Sequence, residues 1–402
     1  MSMADRMPGS GSPYGRAMPS SVLREFGIEL LRPEELIDRL DRNRRVGIYA
    51  PVALQGTDIS TARLAAAEQD EFTTVLLNNG AGERAFRFRA LLRPALAAPA
   101  DYEVQAVRDG TRLLGGLSRT QDDGNLKVEL LRVGAADRLS RAIARQLAFL
   151  QRRAAADMRL GHVVIHDPNL PVPIREALRA ENFVPHEDGY WRCRVETGLR
   201  TADELGISPT DPITAASFER SLWPVKILGI GIPTYVVPIH PAWAEQLFDE
   251  GLSAQSLFSR ETGLGLSREH VYYRASRPGG AKAPARLLWY VTGADRAHTV
   301  GHIRAVSHLA DVFIDRPERL HRRFSQLGVW KLEQIRQAAD ATGSAMALRF
   351  VDTEVFAYPL DLNALRALYS DLGASFYAPQ SPMPVDENIF SQLYRRSSAY
   401  VD

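Results

Sequence analysis

Hydrophobic positions along this chain fall into blocks of different period. The block FGIELLRPEELIDRLDRN, residues 26–43, opens apolar, turns at Pro33, then places Leu36, Ile37 and Leu40 at helical spacing. It predicts a strand followed by a helix. Between residues 73 and 117 the apolar runs TTVLLNNGAGE, AFRFRALLRPAL and YEVQAVRDGTRLLGGLS are separated by turn signals, and QDDGN leads into LKVELLRVG. These predict an antiparallel meander with a tight hairpin at Asp109-Gly110. The next block, DRLSRAIARQLAFLQRRAA, has Leu139, Ile143, Leu147 and Leu150 on one stripe. It predicts an amphipathic helix capped by Asp137, with Arg138, Arg141, Arg145, Arg152 and Arg153 on the remaining surface. Strand HVVIHD, helix IREALRAENF and strand GYWRCRVE complete the first half.

Residues 199–222 have turn and polar character with little apolar periodicity, which suggests a linker between two domains. Beyond it, LWPVKILGIGIPTYVVPIHPAWAEQLFDEGL predicts strands broken by Pro and Gly, then a helix carrying Trp243, Leu247 and Phe248. A hairpin-like unit, SREHVYYRASRPGGAKAPARLLWYVTG, follows at residues 267–293. The strand TVGHIRAVSHLADV, two short helices, the strand AMALRFVDTEVFAYPLDL and the helix NALRALYSDLG come after it. The fold class expected is α+β, a mixed-sheet domain at 26–198 followed by a small β-barrel domain at 223–372. A Gly, Ser and Pro-rich leader (1–25) precedes them and a tail (373–402) follows.

Composition narrows the function classes. The net charge of the 402 residues is only +1, so any basic footprint for a polyanion must be local. Lys127, Lys226, Lys282 and Lys331 are the only lysines, and arginine supplies the rest of the cationic charge. Cys193 is the single cysteine, which excludes an internal disulfide and a cysteine-based zinc cluster and fits a cytoplasmic protein. No apolar run approaches the ~18 residues of a membrane span, so no membrane partner is expected, and no metal site is expected either.

The order of elements from Tyr102 to Arg194 resembles the GNAT acyltransferases, which hold the pyrophosphate of acyl-CoA on backbone amides at a helix N-terminus. On that resemblance acetyl-CoA is the implied cofactor. Arg138, Ser140, Arg141 and Ala142, in RLSRAI, form the implied anchor, with Arg141 and Ile143 standing where the family has a glycine and a small residue. Glu129 occupies the position of a general base acting through water, although a solvent-facing strand carboxylate is the simpler reading.

The span from Pro224 to Leu372 is similar to the ASCH family of PUA-like barrels, on the evidence of IPTYVVPIHPAWAEQLFDEGL, EHVYYR, RLLWYVTG, TVGHIRAVSHL and MALRFVDTEVFAYPLDL. That resemblance implies RNA as a partner. Arg268, Tyr272, Arg274, Trp289 and Thr353 are the candidate contacts, because bases stack on aromatic rings while arginines hold phosphates. Strand alternation sends Tyr272 and Arg274 to one face and Tyr273 to the other, and it separates Trp289 from Tyr290. The family's G-x-K-x-x-E-x-R signature has no counterpart here.

Three functions follow as expectations. The first is an RNA-interacting protein that moves an acyl group from acetyl-CoA to an amine of RNA or of a translation-associated protein, with a nuclease as a further partner. The second is a non-enzymatic RNA-binding or regulatory module built on a GNAT scaffold. The third is an ASCH-type nucleoside amidohydrolase or ribonuclease.

Overall fold

Turn chemistry sets the first sheet. Strands β2 (Tyr102–Asp109) and β3 (Arg112–Asp122) meet at Gly110, whose φ of +55° a glycine adopts without Cβ strain. In the next turn Asp123 and Gly124 are both left-handed, the pattern of a tight primed hairpin, and β4 (Asn125–Val133) returns alongside β3. The computed structural model describes residues 59–401 apart from 78–81, 135–137, 210, 248–268, 278, 294–300, 326 and 328. All of the described residues belong to one compact unit, Tyr49–Asp402. The leader, the strand and helix expected at 26–43, the Asp137 cap, Phe248 and Arg268 therefore lie outside the described residues.

A 20-residue helix, α3 (Arg138–Asp157), carries the chain back so that β5 (His162–Ile165) lies parallel to β4. Helix α4 (Val172–Ala180), β6 (Val184–Pro185) and β7 (Trp191–Arg194) complete a mixed seven-stranded sheet in the order β1-β2-β3-β4-β5-β7-β6, with β1 at Ile59–Arg63. Leu117, Val128, Leu131, Ile143, Leu147, Val163 and Ile174 fill the space between sheet and helices.

Two segments differ from the sequence reading. Residues around TTVLL and AFRFRALLRPAL form helices α1 (Gln69–Leu76) and α2 (Ala85–Ala97), not strands of the meander. Short apolar runs fit both periods, and here Phe72, Leu76, Phe88, Leu92 and Ala95 bury one helical face against the sheet. Gly116 permits that approach, since a Cβ there would stand 2.3 Å from the Phe72 ring.

Residues 199–222 contain β8 (Leu199–Thr201), α5 (Ala202–Leu205) and α6 (Pro212–Ser221), the last capped by the Asp211 carboxylate. β9 (Lys226–Leu228) pairs in parallel with β8. The second large sheet draws on β10 (Thr234–Ile239), β11 (Glu269–Ala275), β12 (Ala285–Val291), β13 (His302–Asp315), β14 (Ala345–Asp361) and β15 (Met383–Val385). Its order is β11-β14-β13-β12-β10-β15, so β11 and β12 are not the hairpin that residues 267–293 suggested. β11 pairs instead with β14, about seventy residues on, and β12 lies between β10 and the following strand β13; no local turn signal reveals the β11–β14 and β10–β12 pairings.

Helices α7 (Pro241–Leu247), α8 (Pro317–Phe324), α9 (Leu332–Gln337), α10 (Leu362–Asp371) and α11 (Glu387–Ser397) surround this sheet. One core cluster contains Tyr272, Leu287, Trp289 and Phe350; another contains Leu288, Tyr290, Phe356, Phe390 and Tyr394. Tyr290 and Trp289 thus go to different clusters, as strand alternation requires.

The helix α3 that belongs to the first sheet also braces the second. Its Phe149 ring lies 4.8 Å from Trp223, and Tyr400 donates a hydrogen bond to Asp157 at 2.7 Å. Arg152, expected on the solvated side of this helix, is instead buried. Its guanidinium donates to the carbonyls of Glu181, Arg220, Ser221 and Trp223. A planar fork of donors suits this place because the carbonyls of a helix end have few other partners.

Candidate functional site

Edge strand β11 carries the most chemically suggestive cluster among the described residues. Tyr272 and Arg274 share one face of the strand, as its period of two demands. The Tyr272 ring meets Trp289 and Trp330 edge-on at 5.6 and 5.7 Å, and Trp330 lies 5.0 Å from Trp243 of α7. Trp330 also lies 5.9 Å from Tyr273, so the one indole touches both tyrosines at the strand edge. Tyr272, Tyr273 and Trp289 are buried, whereas Trp243 and Trp330 are half-buried and reach the surface.

The polar atoms of this cluster are under-satisfied. Trp330 Nε1, Tyr273 Oη and Arg274 Nη1 are each buried without a hydrogen-bond partner among the described residues. Tyr272 Oη donates to the Pro238 carbonyl at 3.3 Å, and burial pushes its phenol up to about 12. Burial likewise lowers the Arg274 guanidinium from its ordinary value, with Tyr272 opposing it. Buried donors with no acceptor cost of order 1–3 kcal/mol each, a cost that an acceptor-bearing ligand can relieve.

Trp289, expected as a stacking face, cannot serve as one. It is fully buried against Phe350 at 4.7 Å, and its indole N–H is spent on Ser307 Oγ at 2.8 Å. Ser307 is in turn 2.7 Å from Thr353 Oγ1, so half-buried Thr353 ends an interior hydroxyl chain apart from the indole pair. The structure therefore joins Tyr272 with Arg274 on one face of β11, and Thr353 reaches them only through Ser307 and Trp289. Trp330 escaped the sequence reading because its position, in a loop before α9, carries no periodicity. Trp243 was expected only as one of the apolar residues that a helix carries.

A second polar group lies inside the fold. Glu219 accepts Arg286 Nε at 2.8 Å and the Ile227 N–H at 2.7 Å, with His308 Nε2 3.3 Å away. Nearby, Lys226 Nζ donates to Glu354 at 2.8 Å, and Glu354 also accepts from Tyr394 Oη at 3.0 Å and Ser398 Oγ at 2.7 Å. Burial alone would raise the Glu219 carboxyl, but Arg286, with His308 and Lys226, holds it below its usual range. Every member is buried, so this network is built to be filled by protein rather than by substrate.

In the first half, Glu129 is the extra residue of a β-bulge, since Ser118 pairs with Leu130 and Arg119 with Val128. Its carboxylate is held by Lys127 Nζ at 2.8 Å. Ser140 and Ala142 are buried, Arg141 is exposed 3.9 Å from Glu176, and nothing of the Arg138 side chain is described.

The first sheet opens where β4 and β5 stop pairing, after Val128 and Ile165. There Asp167 Oδ2 accepts the Leu131 N–H at 3.0 Å and contacts Arg132, whose other arm reaches Glu83 at 3.0 Å. Glu83, Arg132 and Asp167 are all buried side chains. These residues do not fit the cofactor that the resemblance implies.

No family model matches the sequence, and no curated protein matches it. The structure is similar to two groups of solved structures, ASCH proteins and GNAT acetyltransferases, the two families that the sequence resembles. The ASCH protein of Zymomonas mobilis is 18% identical, covering 42% of this chain and 98% of its own, with a TM-score of 0.31. A GNAT-family acetyltransferase from Staphylococcus aureus is 9% identical, covering 34% and 98%, with a TM-score of 0.28. Spermidine N-acetyltransferase from Vibrio cholerae, solved with CoA and spermine, is 11% identical, covering 34% and 95%, with a TM-score of 0.26. Among the described residues no helix is long and apolar enough to cross a membrane, and no group of His, Cys, Asp or Glu side chains is placed to hold a metal ion.

Proposed function

We propose that this protein is a non-enzymatic RNA-binding module that captures an unpaired base at the Trp243–Trp330 pair. The observation that carries this reading is the half-buried indole pair backed by Tyr272, with Trp330 Nε1 and the Nη1 of Arg274, which shares a face of β11 with Tyr272, buried and unpartnered among the described residues. An aromatic surface suits any base, because every base has a π-face, and each stacked base contributes about 1–3 kcal/mol. Arg274 and exposed Lys331, which follows Trp330 in the chain, supply positive charge for the adjoining phosphates.

The likeness to ASCH proteins agrees with this reading without supplying it. Acyl transfer is left out, because Glu129 is tied to Lys127 and the β4–β5 gap is filled by side chains.

Fluorescence anisotropy with labelled single-stranded oligoribonucleotides tests the proposal. Wild type is expected to bind, with quenching of tryptophan emission, and Trp330→Ala to bind at least about fivefold more weakly, the low end of one lost stacked base. Equal affinity of the two proteins, or no binding by wild type, would sink it.

A further inference from the structure

We infer that the seven-stranded half has lost the capacity to bind acyl-CoA, because its own side chains occupy the hydrogen-bonding positions that the ligand would need. β4 and β5 are parallel and in register from Asn125–His162 to Val128–Ile165, with one more bond from His166 N to the Val128 carbonyl. Beyond that point β4 runs on to Val133 without β5, which in an open gap would leave its backbone donors for an extended ligand.

The gap is not open. The Asp167 carboxylate stands in the place of the next rung: Oδ2 takes the Leu131 N–H at 3.0 Å, and Oδ1 takes the Asn169 N–H at 3.0 Å. Arg132, buried over the Phe88 ring, binds Asp167 with one nitrogen and Glu83 with another, and Asn169 Nδ2 also donates to Glu83 at 3.0 Å. Burial pulls the Arg132 guanidinium down to about 10, with Glu83 opposing, so it stays cationic at neutral pH and the ion pairs persist.

Three separate chain segments are joined here: the turn before α2, strand β4, and the turn before α4. A ligand amide would have to break charge-assisted bonds among buried side chains, which are roughly twice as strong as the neutral bonds it would offer. Ile143, standing at the small-residue position of the phosphate anchor, is a branched side chain buried in the core, and Arg141 brings a Cβ where the family has none.

The test uses the full-length protein with acetyl-CoA and with coenzyme A, each titrated to about 5 mM. Two readouts are taken, the melting temperature and amide exchange at Leu131. An unchanged melting temperature with Leu131 protected equally in all samples is expected, since a ligand that binds only the folded state must raise its stability. A saturable rise in melting temperature with either ligand, or altered exchange at Leu131, would overturn the inference. Neither result bears on RNA binding, which is measured at residues of the other sheet.

Discussion

Glu219 and Arg286 meet in the interior as a two-armed ion pair: Glu219 sits near the end of α6, and Arg286 lies on β12. A stretch with the composition of a linker therefore contributes a carboxylate to the interior of the second sheet. Removing one partner of such a pair leaves the other charge buried without compensation. Glu219→Ala is accordingly expected to cost about 3–5 kcal/mol, read as a fall in the urea midpoint. A loss below about 1 kcal/mol would mean that Arg286 finds another acceptor.

His308 predicts how stability depends on pH. Burial lowers its pKa from 6.5 to about 4, outweighing the attraction of Glu219 and Asp352, while Arg220 and Lys226 push the same way as burial. Above 6.5 the imidazole is neutral in both folded and unfolded chains and contributes nothing. Between 6.5 and about 4 the unfolded chain takes up a proton that the native state refuses. Stability from this group should fall on acidification across that window, by at most about 1.4 kcal/mol per pH unit, and level off below it. His308→Asn should flatten the slope between pH 6.5 and 4.5, and an unchanged slope would assign the effect to other groups.

Tyr273 offers a substitution that improves the fold. Its hydroxyl is buried with no partner among the described residues, and burial pushes its phenol far above the ordinary range. Tyr273→Phe removes the unsatisfied group and keeps the ring against Trp330, so a gain of about 1 kcal/mol is expected in thermal denaturation. A lower melting temperature would show that the hydroxyl has a partner in solution.

RNA affinity should respond only weakly to salt. The net charge is +1, and the proposed site places Arg274 and Lys331 near the phosphates. Two neutralised phosphates on a single strand give a slope of log K against log salt of about −1.4. A slope steeper than about −4 would point to an extended basic surface away from the indole pair.

Much of the fold was legible in the pattern of apolar positions, and the failures have physical reasons. The β2–β3 and β3–β4 hairpins were readable because Gly110 and Asp123-Gly124 commit their turns locally. The helices α1 and α2 were not, because a run such as TTVLL fits a strand until Phe72 and Leu76 find the sheet. The candidate site was half legible: alternation on β11 put Tyr272 and Arg274 together. What brought Trp243 and Trp330 to them is tertiary packing across about ninety residues of chain, which leaves no periodic trace. Burial of Trp289 was equally hidden, since an aromatic residue on a strand reads the same in a core as on a binding face.

The Glu354 carboxylate has an implication for synthesis. Its partners come from Lys226, far upstream, and from Tyr394 and Ser398, which the ribosome adds well after Glu354 itself. Asp157 similarly waits for Tyr400. The first sheet can close as soon as β7 emerges, but the second stays unfinished, with a buried lysine and glutamate only partly matched, until some forty further residues have followed Glu354. During that interval the nascent chain is the form most exposed to chaperones and proteases.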